Sequence, residues 1–536
     1  MRESERGAVG LFASGLATLS VAVLLIMLLW IVATNAFVWF WPTQILEVEL
    51  SDGSTMIGQP SGSETTPKGR SSRLRLKVGN REINDRDFVW VDHDQIRSTA
   101  QPRDLVRVLR LKNGDAYGRI VAATATNGED VDALDQPRLR AIVREGIATQ
   151  GHLADLRERH ENVRRPLTDL EHRADRLRRS HRSDQPQTAQ TLEQLELEMR
   201  AVIRDLQPEL TRLEAEIDSV RGRLDRARLV LGTDGAAVVV PLTQMVEVVW
   251  ANDMNWFERV AHALTKGLEF LIEDPRAANT EGGVFPILFG TVLLVLLMSL
   301  AVMPLGVIAA VYLDEYAAPG PLLRLVRRAI HNLAGVPSIV FGMFGLAFFV
   351  YGLGGSIDRG FFADELPSPT FGTGGILWAS LTLAVLTIPV VVVATTEGLQ
   401  AVPRGWRDGS VALGATRWQT LRSIVLPAAL PGMLTGLILA VGRAAGEVAP
   451  LMLTGAVKLA HGLPIDGDAP YLHLQRKFMH LGFHIYDVSM QSPDVEAAKP
   501  MAFASTLVLL GLVVAINLTA ILIRRRLHAV YRALEE

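Results

Sequence analysis

Cysteine is absent from this 536-residue chain. That absence excludes disulfides, thiolate metal sites and cysteine nucleophiles. The chain also lacks the G-x-x-x-x-G-K-[ST] loop that cradles nucleotide phosphates, so any ATP hydrolysis is expected in another subunit. Gly352, Gly354 and Gly355 do not supply such a loop, and they are predicted to lie in a flexible outer connection.

Charge is scarce in long stretches of the chain. The net charge is -3, and residues 47–276 hold most of the Arg, Asp and Glu. The flanking regions run almost uncharged for roughly 20 residues at a time, the length that spans a bilayer core. The charged part requires water and the flanks require lipid, which predicts a polytopic membrane protein with a water-exposed insertion.

Six apolar segments are predicted to be membrane-spanning helices, so the permease part is expected to be all-α. The first is longer than a signal-peptide core and has no clear small-residue cleavage site, which predicts an uncleaved helix. The predicted spans are residues 9–41, 285–312, 339–353, 376–395, 430–454 and 501–523.

Arginine is concentrated in alternate connections between these spans. The positive-inside rule therefore predicts that the arginine-rich loops and both termini are cytoplasmic and that the charged insertion is external, hence periplasmic in a bacterial inner membrane. The arginines are Arg324, Arg327 and Arg328 after the second span, Arg404, Arg407, Arg417 and Arg422 after the fourth, and Arg524, Arg525, Arg526 and Arg532 in the tail.

The insertion, residues 42–280, shows two patterns. Strand-like alternation with turn signals at Asp52–Gly53, Asn113–Gly114 and Asp234–Gly235 predicts short β-hairpins over residues 45–125 and 228–250. Heptad-spaced apolar residues over 139–230 predict an antiparallel coiled-coil hairpin, with arms of about 40 residues and roughly 60 Å at 1.5 Å per residue. Around this insertion we expect an N-terminal helix over 1–41, a permease core over 281–527 and a tail over 528–536.

The segment 397–427, between the fourth and fifth spans, is predicted to form two short helices. The first runs to about Leu413, Gly414 turns the chain, and the second begins at about Ala415. From spacing alone, an amphipathic connector with a glycine cap explains the segment as well as a functional loop does.

This loop resembles the cytoplasmic signature of the membrane subunits of type I ABC importers, which runs Glu-Ala-Ala, three residues, Gly, nine residues and Ile-x-Leu-Pro. The matching residues here are Gly414, Ile424, Leu426 and Pro427, while Asp408, Gly409 and Ser410 replace the first triplet. In that family the loop docks a separate ATPase. The resemblance implies that docking involves Arg407, Asp408, Gly409, Ser410, Gly414, Ala415, Arg417 and Trp418.

Residues 413–455 and 331–342 are similar to the phosphate-specific, PstA-type permease subunits of these importers. The family's Gly-Glu-Thr is Gly446, Glu447 and Val448 here, so a hydroxyl is missing at Val448. Asn332, Pro337 and Ser338 fall in the other matching segment and are candidates for the pathway or its packing.

The resemblance implies ATP-driven import of inorganic phosphate, with this chain forming half of the pathway and catalysing nothing itself. It implies three protein partners: a dimer of ATPase subunits carrying ATP and magnesium, a second, PstC-like permease subunit, and a periplasmic phosphate-binding protein. No cofactor is expected on this chain, and no nucleic acid. The large insertion is not part of the family's common pattern.

Arg443 and Glu447 stand out as two charges inside the predicted fifth span. Arg443 lies about 20 Å along it at 1.5 Å per residue, where a charge costs on the order of 3 kcal/mol. A guanidinium suits an oxyanion because it combines charge with paired donors, and spacing of four places Glu447 on the same helix face. Mutual neutralisation that locks the bundle is the alternative. Close helix approach is predicted at Gly432, Gly436, Gly442 and Gly446.

Two other functions remain open from the residues alone. Another oxyanion, sulfate or molybdate, fits the same arginine, and a membrane-anchored sensor or scaffold could act through the external coiled coil. No metal site is expected, because His480 and His484 in the outer loop lack a carboxylate at ligand spacing.

Overall fold

The computed structural model describes residues 2–65, 72–84, 86–132, 135–179, 186–233, 236–276, 279–363, 366–467, 470–492 and 495–532. The chain divides into two compact units. The membrane unit comprises Met1–Trp39 and Leu268–Glu536, and the inserted unit comprises Phe40–Gly267. The predicted Asp234–Gly235 turn and the end of the predicted tail, residues 533–536, lie outside the described residues.

Helices lie in both units, and most of the strands lie in the inserted unit. The helices are α1 (Arg2–Phe40), α2 (Arg81–Asn84), α3 (Gln136–Arg179), α4 (Pro186–Arg226), α5 (Trp256–Ile272), α6 (Phe285–Val311), α7 (Pro321–Leu333), α8 (Ser338–Phe344), α9 (Gly355–Phe361), α10 (Ile376–Gln400), α11 (Arg404–Ala412), α12 (Arg417–Thr420), α13 (Leu426–Gly446), α14 (Ala449–Thr454), α15 (Leu481–Met490) and α16 (Val495–Arg532). π-Helical segments cover Tyr312–Tyr316, Gly345–Gly354 and Leu421–Val425.

The strands are β1 (Leu46–Leu50), β2 (Thr55–Thr65), β3 (Ser72–Lys77), β4 (Phe88–Asp92), β5 (Ile96–Ala100), β6 (Leu105–Arg110), β7 (Ala116–Thr124), β8 (Asp130–Asp132), β9 (Arg228–Thr233), β10 (Ala236–Pro241) and β11 (Met245–Val249). A further two-stranded pair, β12 (Pro275–Arg276) and β13 (Glu281–Gly282), precedes α6.

The prediction of six membrane spans is confirmed. Six helices among the described residues are long and apolar enough to cross a bilayer: Ser14–Phe40, Phe285–Tyr316, Ser338–Phe361, Ile376–Gln400, Arg417–Gly446 and Ala498–Arg526. The third is longer than predicted because Gly352, Gly354 and Gly355 are helical. The expectation of a flexible loop there was wrong, since this part of the chain continues the span through a π-helical segment.

Helix α10 is the most buried span, and α6 and α13 pack against it. Small residues permit this packing. A Cβ on Gly432 would lie 2.6 Å from the Cα of Gly398, and one on Gly436 would lie 2.8 Å from the Cβ of Ala394. The prediction of close helix approach is thus confirmed at Gly432 and Gly436. The same prediction was wrong for Gly446, where an added Cβ would meet nothing within 4 Å.

The predicted fifth span was wrong at its C-terminal end. Helix α13 stops at Gly446, Glu447 is extended with φ -78° and ψ 130°, and the chain resumes as the short helix α14. Pro450 explains the interruption. It has no N–H to donate to the carbonyl of Gly446, and its ring would clash with that carbonyl in a continuous helix. The span is therefore discontinuous within one helical turn of Arg443.

The inserted unit contains two antiparallel sheets. One has the order β4-β3-β2-β1-β5, and the other has the order β10-β9-β7-β6-β11 with β8 paired to β7. Asn113 and Gly114, in the five-residue connection between β6 and β7, both have positive φ, a backbone conformation that asparagine and glycine favour in turns. Buried apolar residues of the second sheet share a core with the bases of α3 and α4.

Helices α3 and α4 form a long antiparallel hairpin. It leaves the second sheet after β8 and returns at β9, and both of these strands pair with β7, so the two arms start from adjacent positions. Leu153, Leu156, Val220 and Leu224 are buried in the core at its base. Farther along, Arg178 pairs with Glu196 at 3.1 Å.

A closed charge cluster joins the two sheets of the inserted unit. Oδ2 of Asp115 accepts from Lys77 Nζ at 2.6 Å and lies 3.0 Å from Arg107 Nη2, while the Asp115 side chain is only 5% exposed. Burial alone would raise the pKa of Asp115, but the two cations outweigh burial and hold it well below its usual range. Burial raises the pKa of the neighbouring Tyr117 hydroxyl to about 12.

Candidate functional site: a charged pair at a helix break and a docking loop

The charged pair lies at the interruption between α13 and α14. Arg443 occupies the last turn of α13, and Glu447 is the first residue beyond it. Arg443 Nε lies 3.4 Å from Glu447 Oε1. The sequence predicts contact along one helix face; contact occurs, but Glu447 reaches Arg443 from extended backbone.

This pair is not sealed from its surroundings. The Arg443 side chain is 33% exposed and that of Glu447 is 18% exposed. A guanidinium has five N–H donors, and the contact with Glu447 runs through Nε at the stem end of the fork. An oxyanion that approaches the two Nη groups can therefore bind without displacing Glu447.

Helix α16 supplies polar residues along the same side of α13. Arg524 Nη1 donates to Thr435 Oγ1 at 2.9 Å, and Nδ2 of Asn517 lies 3.8 Å from where a Cβ would stand on Gly442. Thr435 and Gly442 are seven residues apart on α13, and Asn517 and Arg524 are seven residues apart on α16, so the two helices run antiparallel with a fixed register. Neither Arg524 nor Asn517 was predicted to lie beside α13, because Arg524 was interpreted only as a tail arginine. An asparagine within an apolar span was the available signal.

Residues 331–342, the other segment that resembles phosphate permeases, approach the helix break through α8. Ser338 is the first residue of α8 and Pro337 precedes it. A Cβ on Gly342 of α8 would lie 2.7 Å from the Cα of Pro450, so α8 packs closely on α14 beyond the break. Asn332, near the end of α7, is exposed. Pro337 and Ser338 thus belong to the element that supports α14, whereas Asn332 is not brought to the charged pair by any described contact.

The predicted docking loop consists of α11, a turn and α12. Gly414 has φ +89°, the left-handed conformation that a side chain disfavours. Thr416 caps α12: its hydroxyl accepts from the backbone N–H of Gln419, whose side chain accepts in return from the N–H of Thr416. From Arg417 the helix continues through the π-helical segment and Pro427 into α13, so the loop is rigidly joined to the span that carries Arg443.

The side chains of this loop point in two directions. Asp408, Gly409 and Arg417 are exposed and Ala415 is half-buried. Four large apolar residues of the loop are also exposed: Leu413 by 91%, Trp418 by 57%, Val411 by 54% and Trp406 by 42%. Several exposed large apolar residues in one short segment are typical of a protein-binding surface.

Two of the predicted docking residues instead face inward. The Ser410 hydroxyl lies 2.9 Å from that of Thr420 and is buried, so it joins α11 to α12. Arg407 pairs with Glu315, and its Nη2 donates to the carbonyl of Leu399 at 2.6 Å. Arg407 therefore ties the loop to the ends of α6 and α10, and Glu315 is a partner that sequence reasoning missed.

The histidines in and before α15 are buried separately from the charged pair. His480 caps α15 by accepting from the N–H of Gly482 at 3.1 Å, and His484 lies one turn later. Burial lowers the pKa of His480 to about 3 and that of His484 to about 4. His473 is not on this helix but contacts Asp466 at 2.9 Å. Among the described residues no cluster of three ligand side chains has metal-binding geometry.

Comparison with known proteins assigns the class. The family described as "Binding-protein-dependent transport system inner membrane component" matches residues 302–528. "Probable ABC transporter permease protein YqgI" of Bacillus subtilis is 32% identical over 259 residues, 47% of this chain and 81% of that protein. The chain therefore belongs to the permease subunits of binding-protein-dependent ABC transporters, and it is a multi-pass membrane protein.

Within that class the similarity extends to phosphate permeases. "Phosphate transport system permease protein PstA" of Mycobacterium leprae is 32% identical over 262 residues, 48% of this chain and 78% of that protein. "PstA 1" of Mycobacterium tuberculosis H37Rv is 31% identical over 293 residues, 54% of this chain and 84% of that protein. These matches cover about half of the present chain.

Proposed function

We propose that this permease subunit imports inorganic phosphate and that Arg443 is its principal contact with the anion. The observation that carries the proposal is the charged pair at the helix break, in a chain similar to PstA-named permeases. An interrupted span leaves polar backbone that lipid could not satisfy, so such segments line a cavity or are packed within protein. A one-third-exposed guanidinium at that position faces the pathway.

Charge balance requires a second chain. One guanidinium cannot neutralise a phosphate dianion, and an unpaired charge at membrane depth is costly. We propose that a second, PstC-like permease subunit supplies the opposing wall with its own basic group. The runner-up substrates, sulfate and molybdate, have the same requirement.

Glu447 has two candidate roles in this scheme. It holds Arg443 in position when the pathway is empty, or it accepts a hydrogen bond from the proton that phosphate retains and sulfate lacks. The 3.4 Å contact supports the first role directly. The second needs only that the same carboxylate reach a phosphate bound at the Nη groups of Arg443.

The exposed part of the docking loop is proposed to bind an ATPase dimer, which would carry ATP and magnesium. Leu413 and Trp418 supply its apolar area, and Asp408 and Arg417 supply charges at its edge. Because the loop continues without a break into α13, movement of a bound ATPase would be transmitted to Arg443. Arg407 and Ser410 hold the loop in shape and do not contact the ATPase.

We further propose the orientation expected from arginine placement, with both termini cytoplasmic and the insertion periplasmic. The domain limits proposed from sequence place the insertion at residues 42–280 and the permease core at 281–527. A periplasmic phosphate-binding protein would deliver phosphate on the side of the insertion.

Uptake of labelled phosphate tests the substrate. The chain and its partner subunits are expressed in a bacterium that lacks its own phosphate importer, and uptake is measured with arsenate, sulfate or molybdate as competitor. We expect arsenate to compete and the other two to have no effect. Uptake of labelled sulfate or molybdate, without restored phosphate uptake, would transfer the proposal to the runner-up substrates.

Glu447→Gln separates the two roles of the carboxylate. Loss of phosphate uptake with newly acquired sulfate uptake supports recognition of the phosphate proton, whereas loss of both supports the positioning of Arg443. Glu209→Gln in the exposed hairpin is the matched control and is expected to change nothing. Unchanged transport of phosphate and arsenate by Glu447→Gln would exclude both roles.

A further inference from the structure

Helix α5 exposes an apolar face and hides a charged one. Its exposed residues follow helical spacing and are apolar except for Thr265 and the capping residue Glu258; the large ones are Trp256 (64% exposed), Phe257 (78%), Leu264 (66%), Leu268 (61%) and Ile272 (69%). Ala261 completes the same face. A helix on the surface of a soluble domain has the opposite arrangement, with its apolar face inward.

The charged residues of α5 are engaged on the other side. Lys266 Nζ lies 2.8 Å and His262 Nδ1 lies 3.8 Å from the carboxylate of Glu247 on β11. Arg259 donates to the carbonyls of Ala251 and Met254 at 3.1 and 3.2 Å. These contacts fix the rotation of the helix, so its apolar face cannot turn inward without breaking them.

The helix start is also fixed. The N–H of Glu258 donates to Asn255 Oδ1 at 2.9 Å, and the N–H of Asn255 donates to Glu258 Oε2 at 2.9 Å. This reciprocal cap defines the first turn of the helix. The apolar face is therefore a property of a well-formed helix and not of a frayed segment.

The C-terminal turn of α5 is joined to the beginning of a membrane span. The N–H of Val284 donates to the carbonyl of Phe270 at 2.7 Å, and that of Phe285 donates to the carbonyl of Glu273 at 3.1 Å. Phe285 is the first residue of α6. The Phe270 ring also meets Trp39, near the end of α1, with centroids 6.3 Å apart. The last turn of α5 therefore lies at the level where α1 ends and α6 begins.

We propose that α5 is an interfacial helix whose apolar face, Phe257, Ala261, Leu264, Leu268 and Ile272, is embedded in the bilayer surface. Continuity with α6 supports lipid as the occupant, because the exposed stripe leads directly to the end of a span already surrounded by lipid. Large apolar residues on one face and charged residues on the other are typical of helices that lie in the membrane plane. Trp256 at the helix start suits the same boundary. The inference is independent of the transported substrate.

Spin labelling of the full chain in phospholipid vesicles tests this. Because the chain has no cysteine, Leu264→Cys and Leu268→Cys each introduce a single thiol for a nitroxide label. Leu197→Cys in α4 is the matched control, since Leu197 is 60% exposed and lies in the hairpin. Collision rates are measured with oxygen, which concentrates in lipid, and with a water-soluble nickel complex.

We expect labels at 264 and 268 to collide with oxygen and to lose collisions with nickel, and the label at 197 to show the reverse. Equal nickel accessibility at all three positions would overturn the proposal. Protection from both reagents at 264 and 268 would also overturn it, since it would show that protein covers the face. Ala261→Cys replaces the leucine variants should either fail to fold, because it changes the smallest side chain of the stripe.

Discussion

The two units each contain a charge cluster, and the clusters are built in opposite ways. In the inserted unit, Lys77 and Arg107 converge on a single carboxylate oxygen of Asp115, which is 5% exposed. In the membrane unit, Arg443 and Glu447 make one contact of 3.4 Å, and the arginine is 33% exposed. In the first cluster the charges are paired with one another, while in the second the contact found among the described residues uses only the Nε donor of Arg443.

This difference separates a structural role from a functional one better than burial alone. A buried charge is tolerated when its partners satisfy it, and removal of one partner leaves the others unpaired in a poorly solvated place. An incompletely satisfied arginine in a membrane segment has the opposite meaning, because it persists only if something else completes it. We expect substitutions in the first cluster to affect folding and substitutions in the second to affect transport.

The largest effect expected from a single substitution is on the stability of the inserted unit. Asp115→Asn leaves two cations facing each other without a carboxylate, which is expected to cost ~3–5 kcal/mol in free energy of unfolding. Denaturant unfolding of the purified chain, followed by limited proteolysis of the insertion, measures it. Asp104→Asn, which breaks a more exposed pair with Arg119, is the control and should cost less than about 1 kcal/mol. Equal effects of the two variants would remove the distinction between closed and open clusters.

Arg443→Ala is expected to act on transport instead. Loss of charge-assisted hydrogen bonds to a bound oxyanion is worth about 2–3 kcal/mol, or on the order of a hundredfold in uptake rate. The folded protein should be recovered in normal yield, because the pair with Glu447 is loose. Arg443→Lys should retain part of the activity, since it keeps the charge and loses the fork.

Initial rates of labelled phosphate uptake measure this, with Arg359→Ala on α9 as the control. Arg359 is exposed, and its Nη2 donates to the hydroxyl of the neighbouring Ser356 at 3.2 Å. A normal uptake rate in Arg443→Ala would show that the pair is structural after all.

Acid should weaken the membrane unit through His480 and His484. Both are buried and neutral in the folded state, with pKa values lowered to about 3 and about 4, while unfolded histidine titrates near 6.5. Between these values the unfolded state binds more protons, so stability is complete above pH 6.5 and falls as the pH decreases towards 4, by about 1.4 kcal/mol per pH unit for each histidine.

Thermal unfolding of the purified protein between pH 7 and pH 4.5 gives this slope. His484→Gln, which does not titrate, should flatten the pH dependence of the melting temperature. His461→Gln, at an exposed position, should not. A slope that is the same in wild type and His484→Gln would show that other groups cause the acid sensitivity.

The smallest effect is expected in the hairpin. Arg178 and Glu196 are each about half exposed and 3.1 Å apart, and a pair of this kind contributes about 0–1 kcal/mol. Arg178→Gln should therefore leave unfolding unchanged within about 1 kcal/mol. A larger loss would mean that surface pairs, and not the buried apolar base of the hairpin, hold the two arms together.

The sequence was sufficient for the features that depend on local composition. Long apolar segments located the six spans, and Gly414 located the turn between the two short helices of the candidate docking loop. The break after Gly446 was also readable, because Pro450 four residues later forbids the helical hydrogen bond. Apolar residues continue on both sides of the break, however, and this continuous hydrophobicity indicates an uninterrupted span. It therefore conceals the signal of the proline.

Features that depend on contacts between distant segments could not be predicted. Arg407 looks like a docking residue until its partner Glu315, far away in sequence, is placed beside it. The stripe on α5 is visible as spacing, but only the contacts of Lys266 and His262 with Glu247 show which face is turned outward. Sequence patterns define a helix face, whereas tertiary partners define the direction in which it points.

The interruption after Gly446 also sets the electric field at the charged pair. Ending α13 inside the span places the negative end of its dipole, equivalent to roughly half an elementary charge, beside Glu447. In the proposed pathway an incoming anion would meet this partial charge in addition to the carboxylate, and Arg443, in the last helical turn, is positioned to offset both. The helix break therefore adds to the negative potential that Arg443 has to offset, and neutralising Glu447 would remove only part of that potential.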